Sequence, residues 1–246
     1  MPKVFVLGVG MEGEESLSAR ARELIRRADL LVGGRRLLEL FPESAAQKVP
    51  IGRDLEKVIA LIERERHERR VVVLGTGDPN FYGIAAPLRA ALPKRALEIL
   101  PNVSTMQWAF AKAKESWDDA LLLSAHGRPL EQILDLIRGA YKVGIFTDAK
   151  NSPSAIARKL LRAGLRGYRA YLFENLGEKG ERMSRLSLGA LKRRNASPLN
   201  ILLLLREKGA AEGRPLSPGI PDEAFESTGI PMTKEEVRAV SLSKLR

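Results

Sequence analysis

The sequence predicts an α/β protein made of two βα-repeating units, and three observations carry that expectation. The stretch VVVLGTGDPNFYG, from Val71 to Gly83, sets four apolar residues in a row before a glycine turn. A strand buried on both faces of a parallel sheet reads this way. Short apolar runs then alternate with helix-period segments along most of the chain, which is the βα rhythm. That rhythm breaks at Trp117-Asp118-Asp119 and restarts at Ala120, so the chain divides near residue 116. A length of 246 residues suits two modest domains.

The first strand is Val4 to Leu7. Gly8, Gly10 and Gly13 follow it and spell G-x-G-x-x-G, the pattern of a dinucleotide site. Three features argue against that use. The helix starts only after the third glycine, near Ser16 or Ser18. Glu12, Glu14 and Glu15 would repel a pyrophosphate. Asp29 precedes the next strand, Leu30 to Val32, whereas a ribose-binding acid belongs at that strand's far end. Helix 18–28 carries Ala21, Leu24, Ile25 and Ala28 on one face. Gly33-Gly34 ends strand two, and Arg35 and Arg36 open a short helix to Phe41. Pro42 to Pro50 reads as a loop. Asp54 caps a helix with Leu55, Val58, Ile59 and Ile62 inward. The charge run ERERHERR, with His67 inside it, reads as a solvated face.

The central strand is Val71 to Leu74, with a helix expected from about Phe81 to Leu92. Gly75 and Gly77 at its carboxyl end leave bare backbone for a ligand to touch. That edge is where open α/β sheets bind ligands. The alternative is one more βα turn, but Asp78 beside the glycines is placed to grip hydroxyls or an ammonium. Strand Leu97 to Leu100 leads to Pro101-Asn102-Val103-Ser104-Thr105. Ser104 either caps helix 105–114 or, with Thr105, faces the same crevice as Asp78.

In the second unit, strand Ala120 to Ser124 ends in His126-Gly127-Arg128. His126 is either structural or catalytic. Helix 130–138 precedes strand Lys142 to Phe146, which ends in Thr147-Asp148. Ser152-Pro153 opens helix 154–163. Strand Tyr168 to Phe173 ends in Glu174-Asn175-Leu176-Gly177. A looser segment, 178–198, leads to strand Leu199 to Leu205, whose one polar residue, Asn200, calls for a specific partner. Residues 207–232 turn Gly- and Pro-rich, and Thr233 with Glu236 then forms a capping box for a final helix.

Composition narrows the classes. With 44% apolar residues, a mean hydropathy of -0.16 and no apolar run near the ~20 residues of a membrane span, a soluble protein is expected. The N-terminus enters a strand at once without a signal layout, so a cytoplasmic location is expected. No cysteine and only two histidines, His67 and His126, argue against a thiolate or histidine metal site. The net charge of +11 invites nucleic acid. The basic residues are dispersed, however, and 5% aromatics leave few stacking platforms. Such a surface equally suits a small polycarboxylate.

Taken together, VLGVGMEGEESLS, ADLLVGGRRLL, VVVLGTGDPNFYGIA, EILPNVSTMQWAFA, LLLSAHGRP, FTDAKNSPSAIA and YLFENLGEKGE resemble the tetrapyrrole methylases, over roughly residues 3–206. GGRRLL, GDPNFYGIA, PNVSTMQ and SAHGR resemble its precorrin C-5 methyltransferase branch. The resemblance implies two α/β domains, 1–115 and 116–206, each a mixed sheet flanked by helices. S-adenosylmethionine is expected in the cleft between them, with S-adenosylhomocysteine as product. It places the cofactor loop on Gly75, Gly77, Asp78 and Phe81, and further contacts on Ser104, Thr105, Phe146, Thr147, Asn175, Leu176, Asn200 and Met11. It also implies a polycarboxylate tetrapyrrole substrate and a homodimer, with neither nucleic acid nor membrane as partner. Segment 207–246 resembles the joint to a decarboxylating C-15 methyltransferase domain, implying a partner of that kind, separate or fused. His126 and Asp148 are the candidates for removing a proton from the methylated ring, on position alone. Arg35, Arg36, Arg128 and Lys150 either pair with the ring's carboxylates or form surface ion pairs.

Overall fold

The computed structural model describes residues 3–207 and 234–244. Its first half holds β1 (Val4–Val9), α1 (Ala19–Arg26), β2 (Leu30–Gly33), α2 (Arg35–Glu39), β3 (Gln47–Pro50), α3 (Leu55–Glu65), β4 (Val71–Thr76), α4 (Ala85–Ala91), β5 (Leu97–Leu100) and α5 (Thr105–Ala113). The strands lie in the order β3-β2-β4-β1-β5. A mixed sheet was expected in each half, but every pairing here is parallel. The reason is connectivity: each strand reaches the next through a helical crossover, which returns the chain in the same direction. Alternate residues of β1 and β4 bury opposite faces. Leu7, Val72 and Leu74 pack under α1, whereas Val4, Val6, Val71 and Val73 pack under α3 and α4. Burial on both sides explains the unbroken apolar run of the central strand.

The second half holds β6 (Leu121–Ser124), α6 (Leu130–Arg138), β7 (Lys142–Phe146), α7 (Pro153–Arg162), β8 (Tyr168–Glu174), β9 (Arg182–Ser187), α8 (Leu188–Leu191) and β10 (Asn200–Arg206). Here the sheet is mixed, in the order β6-β7-β10-β8-β9, with β10 antiparallel between β7 and β8. One face is covered by α6 and α7. The other receives α5 from the first half, through Met106, Ala109 and Phe110. That approach is close: a Cβ on Gly144 would stand 2.5 Å from the Met106 sulfur.

Three expectations change. Gln47–Pro50 is not loop but an edge strand pairing with β2; it is too short and too exposed to show a pattern. Segment 178–198 contains β9 and α8; β9, RMSRLS, is a charged edge strand, a composition that hides the strand while protecting the sheet edge. The helix after Asp78 starts at Ala85 instead of Phe81. Tyr82 sits at φ +52°, outside the helical region, and Ala85 N–H donates to the Pro79 carbonyl at 3.0 Å, closing a turn first. The expected final helix is present as α9 (Glu235–Lys244), while Thr233 of its capping box and the Gly/Pro-rich stretch lie outside the described residues.

Candidate active site

The carboxyl-end edge of the first sheet meets the end of the second sheet where β7 and β8 finish and β10 begins, and most of the candidate residues collect there. On the first wall, Gly8 and Gly75 are register partners in β1 and β4. Gly77 adopts φ +61° and donates its N–H to the Val9 carbonyl at 2.7 Å. A Cβ on Gly77 would stand 2.6 Å from Ser104 Cα. Asn102 N–H donates to the Gly77 carbonyl at 3.2 Å, and its side-chain amide donates to the Gly8 and Ser16 carbonyls at 3.2 and 2.9 Å. The turns after β1, β4 and β5 are thus locked together through bare backbone.

Asp78 follows directly. Its Oδ1 accepts from Asn80 N–H at 2.8 Å, an Asx turn that fixes the carboxylate. Its other oxygen has no bond among the described residues. Asp78, Phe81 and Ser104 border one recess of about 100 Å³, closed by Trp117 and Leu122 from the second half. The Ser104 hydroxyl itself is engaged: it accepts from Gln107 N–H at 3.2 Å, while the Gln107 side chain accepts from Ser104 N–H at 2.8 Å. This capping box opens α5, with Thr105 as its first residue.

The second wall is built from side chains. Thr147 Oγ1 donates to Asn200 Oδ1 at 2.6 Å, and Asn200 Nδ2 donates to the Ser197 carbonyl at 2.7 Å. Ser197 Oγ donates to Asn175 Oδ1 at 2.7 Å. Asn175 takes φ +52° and donates its N–H to the Leu199 carbonyl at 2.9 Å. Phe146, Leu176, Phe81 and Met11 share one apolar cluster spanning both halves.

Several contacts tie the walls together. The Phe81 and Phe146 rings lie 5.5 Å apart, and Tyr82 meets Phe146 edge-on at 6.2 Å. Tyr82 hydroxyl donates to the Leu122 carbonyl at 2.8 Å, with the Arg128 guanidinium 5.7 Å over its ring. Met11 packs on Gly177, where a Cβ would stand 2.9 Å from the Met11 methyl. Arg36 forms an ion pair with Glu178 of the other half.

His126 is exposed, with Nδ1 3.2 Å from Ser124 Oγ and no bond to Nε2 among the described residues. Asp148 is differently placed. Its oxygens accept from Asn151 N–H at 2.6 Å and Gly127 N–H at 3.2 Å. The Asn151 N–H is the largest cause holding its pKa below the usual aspartate range, so the carboxylate is a weak proton acceptor that fastens the His126 turn. Of the four proposed cations, Arg36 and Arg128 stand where the halves join. Arg35 borders a separate open groove of about 490 Å³ beside Lys48 and Pro50, and Lys150 is exposed. Sequence reasoning passed over Tyr82 and Asn102. Tyr82 adjoins Phe81 in the same turn and was within reach; Asn102 acts through partners distant in the chain.

Two α/β units meeting at such an edge define a class. The model of the tetrapyrrole (corrin/porphyrin) methylases matches residues 3–192, and the chain belongs to that family. A precorrin-6Y C(5,15)-methyltransferase [decarboxylating] of Sinorhizobium sp is 31% identical over 99% of this chain, which spans only 59% of that protein. A cobalt-precorrin-7 C(5)-methyltransferase of Salmonella typhimurium is 34% identical over 82% of this chain and 98% of its own length. Among solved structures, the cobalamin biosynthesis precorrin-6Y methylase of Archaeoglobus fulgidus superposes with a TM-score of 0.67 at 25% identity, over 84% of this chain and all of its own.

Proposed function

We propose that the chain transfers a methyl group from S-adenosylmethionine to carbon 5 of a precorrin, metal-free or cobalt-containing, in cobalamin biosynthesis. One observation carries this reading. The glycine-and-Asp78 wall faces the Thr147–Asn175–Asn200 wall in a chain that matches nearly the whole length of a relative named for that reaction.

The donor set fits the methyl donor. Bare backbone at Gly75 and Gly77 and a free carboxylate oxygen on Asp78 suit its hydroxyls and ammonium. The amides of Asn175 and Asn200 suit a polar ring edge, and Phe81, Phe146, Met11 and Leu176 suit an apolar body. S-adenosylmethionine supplies a methyl group on a sulfonium, already activated for displacement. The chain's residues therefore align and exclude water. The Phe81–Phe146 contact closes the crevice from one side, and Met11 over Gly177 closes it at the join. His126, whose Nε2 is free, is the group proposed to accept the proton that the methylated carbon loses. Asp148 holds the His126 turn in place. Arg128, steadied over Tyr82, is the cation best placed for a substrate carboxylate.

Residues 1–115 and 116–206 are read as the two lobes. The assembly is read as a cytoplasmic homodimer working beside a decarboxylating C-15 methyltransferase, separate or fused. Among the described residues, no helix is long and apolar enough to cross a membrane.

The test pairs binding with turnover. Asp78→Ala weakens S-adenosylmethionine binding by about 1.5–3 kcal/mol, the range for a charged hydrogen bond; unchanged affinity by calorimetry removes the cofactor assignment. His126→Ala abolishes methylation of the precorrin-7 ring, read by mass, with cofactor binding intact. A fully active variant removes His126 from the chemistry.

A further inference from the structure

Glu174 is the most deeply buried acidic side chain among the described residues, at 1% exposure, and nothing above uses it. It ends β8 between Arg182 of β9 and Asn200 of β10, its register partners on either side. One oxygen accepts from Arg182 at 2.9 and 3.1 Å and from Arg194 at 3.0 Å. The other accepts from Ser197 N–H at 2.9 Å. Arg194 Nε is buried without a partner, so its guanidinium depends on this carboxylate.

Ser197 is the junction. The residue that Glu174 holds by its N–H donates its hydroxyl to Asn175 and accepts, at its carbonyl, from Asn200; Asn200 in turn accepts from Thr147. Two arginines, one buried carboxylate and one serine thus lead by unbroken hydrogen bonds to the three polar residues of the second wall. A carboxylate needed only for strand stability would be satisfied by cross-strand Arg182, which faces it across the ladder. The reach to Ser197 serves the loop between α8 and β10 instead.

We infer that Glu174 is a positioning residue for cofactor binding: through Ser197 it sets the orientation of Asn175 and Asn200, and through Asn200 that of Thr147. This rests on the reading that the second wall binds S-adenosylmethionine. Glu174→Gln keeps the shape and an acceptor for Ser197 but removes the charge that gathers the two arginines. Ser197→Ala keeps its backbone bonds to Glu174 and Asn200 and removes only the hydroxyl link to Asn175.

The experiment is calorimetric titration of the full chain with S-adenosylhomocysteine, alongside Tm. Wild-type chain that binds no S-adenosylhomocysteine removes the proposed function and the inference together. With binding established, Glu174→Gln is expected to weaken affinity roughly tenfold, the scale of one hydrogen bond to a charged group. Ser197→Ala is expected to weaken it severalfold with little change in Tm. In an Asn175→Ala background, Ser197→Ala adds less than it does alone, because both act on one link. Unchanged affinity in Glu174→Gln with a lowered Tm overturns the inference while leaving the proposed function standing, since the carboxylate is then merely structural. If Glu174→Gln does not fold, Glu174→Asp decides, since it keeps the charge but draws the carboxylate back from the Ser197 N–H: affinity unchanged from wild type overturns the inference, and a loss to which Ser197→Ala adds less than it does alone supports it.

Discussion

The two walls of the crevice reach similar precision by opposite means. The first is made by leaving side chains out: Gly8 and Gly77 let three turns touch backbone to backbone, with Asn102 as a clamp. The second is made by putting polar side chains in, since Thr147, Asn175, Ser197, Asn200 and Glu174 form one hydrogen-bonded chain. A wall of glycines fails by steric intrusion, which nearby groups cannot relieve because they are backbone. A wall of hydrogen bonds fails by degrees, one link at a time, with water able to substitute in part.

The sharpest way to break this contrast is Gly8→Ala. The new methyl would run into the Gly77 carbonyl oxygen and stand 2.7 Å from the Asn102 nitrogen. A loss of about 4 kcal/mol or more is expected, at the upper end for single substitutions, and denaturant unfolding checks it. A loss below about 1 kcal/mol would show that the first wall yields as easily as the second. Next in size is Thr147→Val, a near-isosteric change that removes the bond to Asn200. Thr147 is buried, so about 1–2 kcal/mol of stability should go, together with part of the cofactor affinity. If Thr147→Val matches Gly8→Ala in damage, the graded character of the second wall is wrong.

The smallest expected effect is in pH. Burial works to raise the Glu174 pKa, but Ser197 N–H, Arg194 and Arg182 outweigh it and the pKa lies below the usual glutamate range. A folded pKa below the unfolded one contributes stability above the unfolded value, about 4.3, which is lost as pH falls through the folded value. A Tm series from pH 6 downward should therefore fall less steeply in Glu174→Gln than in wild type. Parallel curves would show that Glu174 carries no net charge-dependent stability.

The same contrast explains what was readable in the chain. Val71–Leu74, Gly75, Gly77 and Asp78 form a contiguous signal, because a strand buried on both faces and a turn that tolerates no side chain both demand particular residues locally. Strands β3 and β9 were not legible: each lies at a sheet edge, where half-exposed residues escape the hydrophobic pattern and backbone pairing alone makes the strand. Met11, Phe81, Phe146 and Leu176 were named as site residues, yet only the packing of α5 and the turn around Tyr82 against the second sheet shows that they share one cluster.

By itself, then, the sequence determined the βα rhythm and the glycine turn with its acid, which follow from short-range demands of burial and backbone conformation, while the family resemblance rested on whole motifs. Only the tertiary structure decided that the first sheet is parallel throughout, that Asp148 fastens the His126 turn, and that Glu174 governs a loop more than twenty residues further along the chain. Those outcomes depend on which distant groups can meet at hydrogen-bond distance, a property of chain closure that no local pattern encodes.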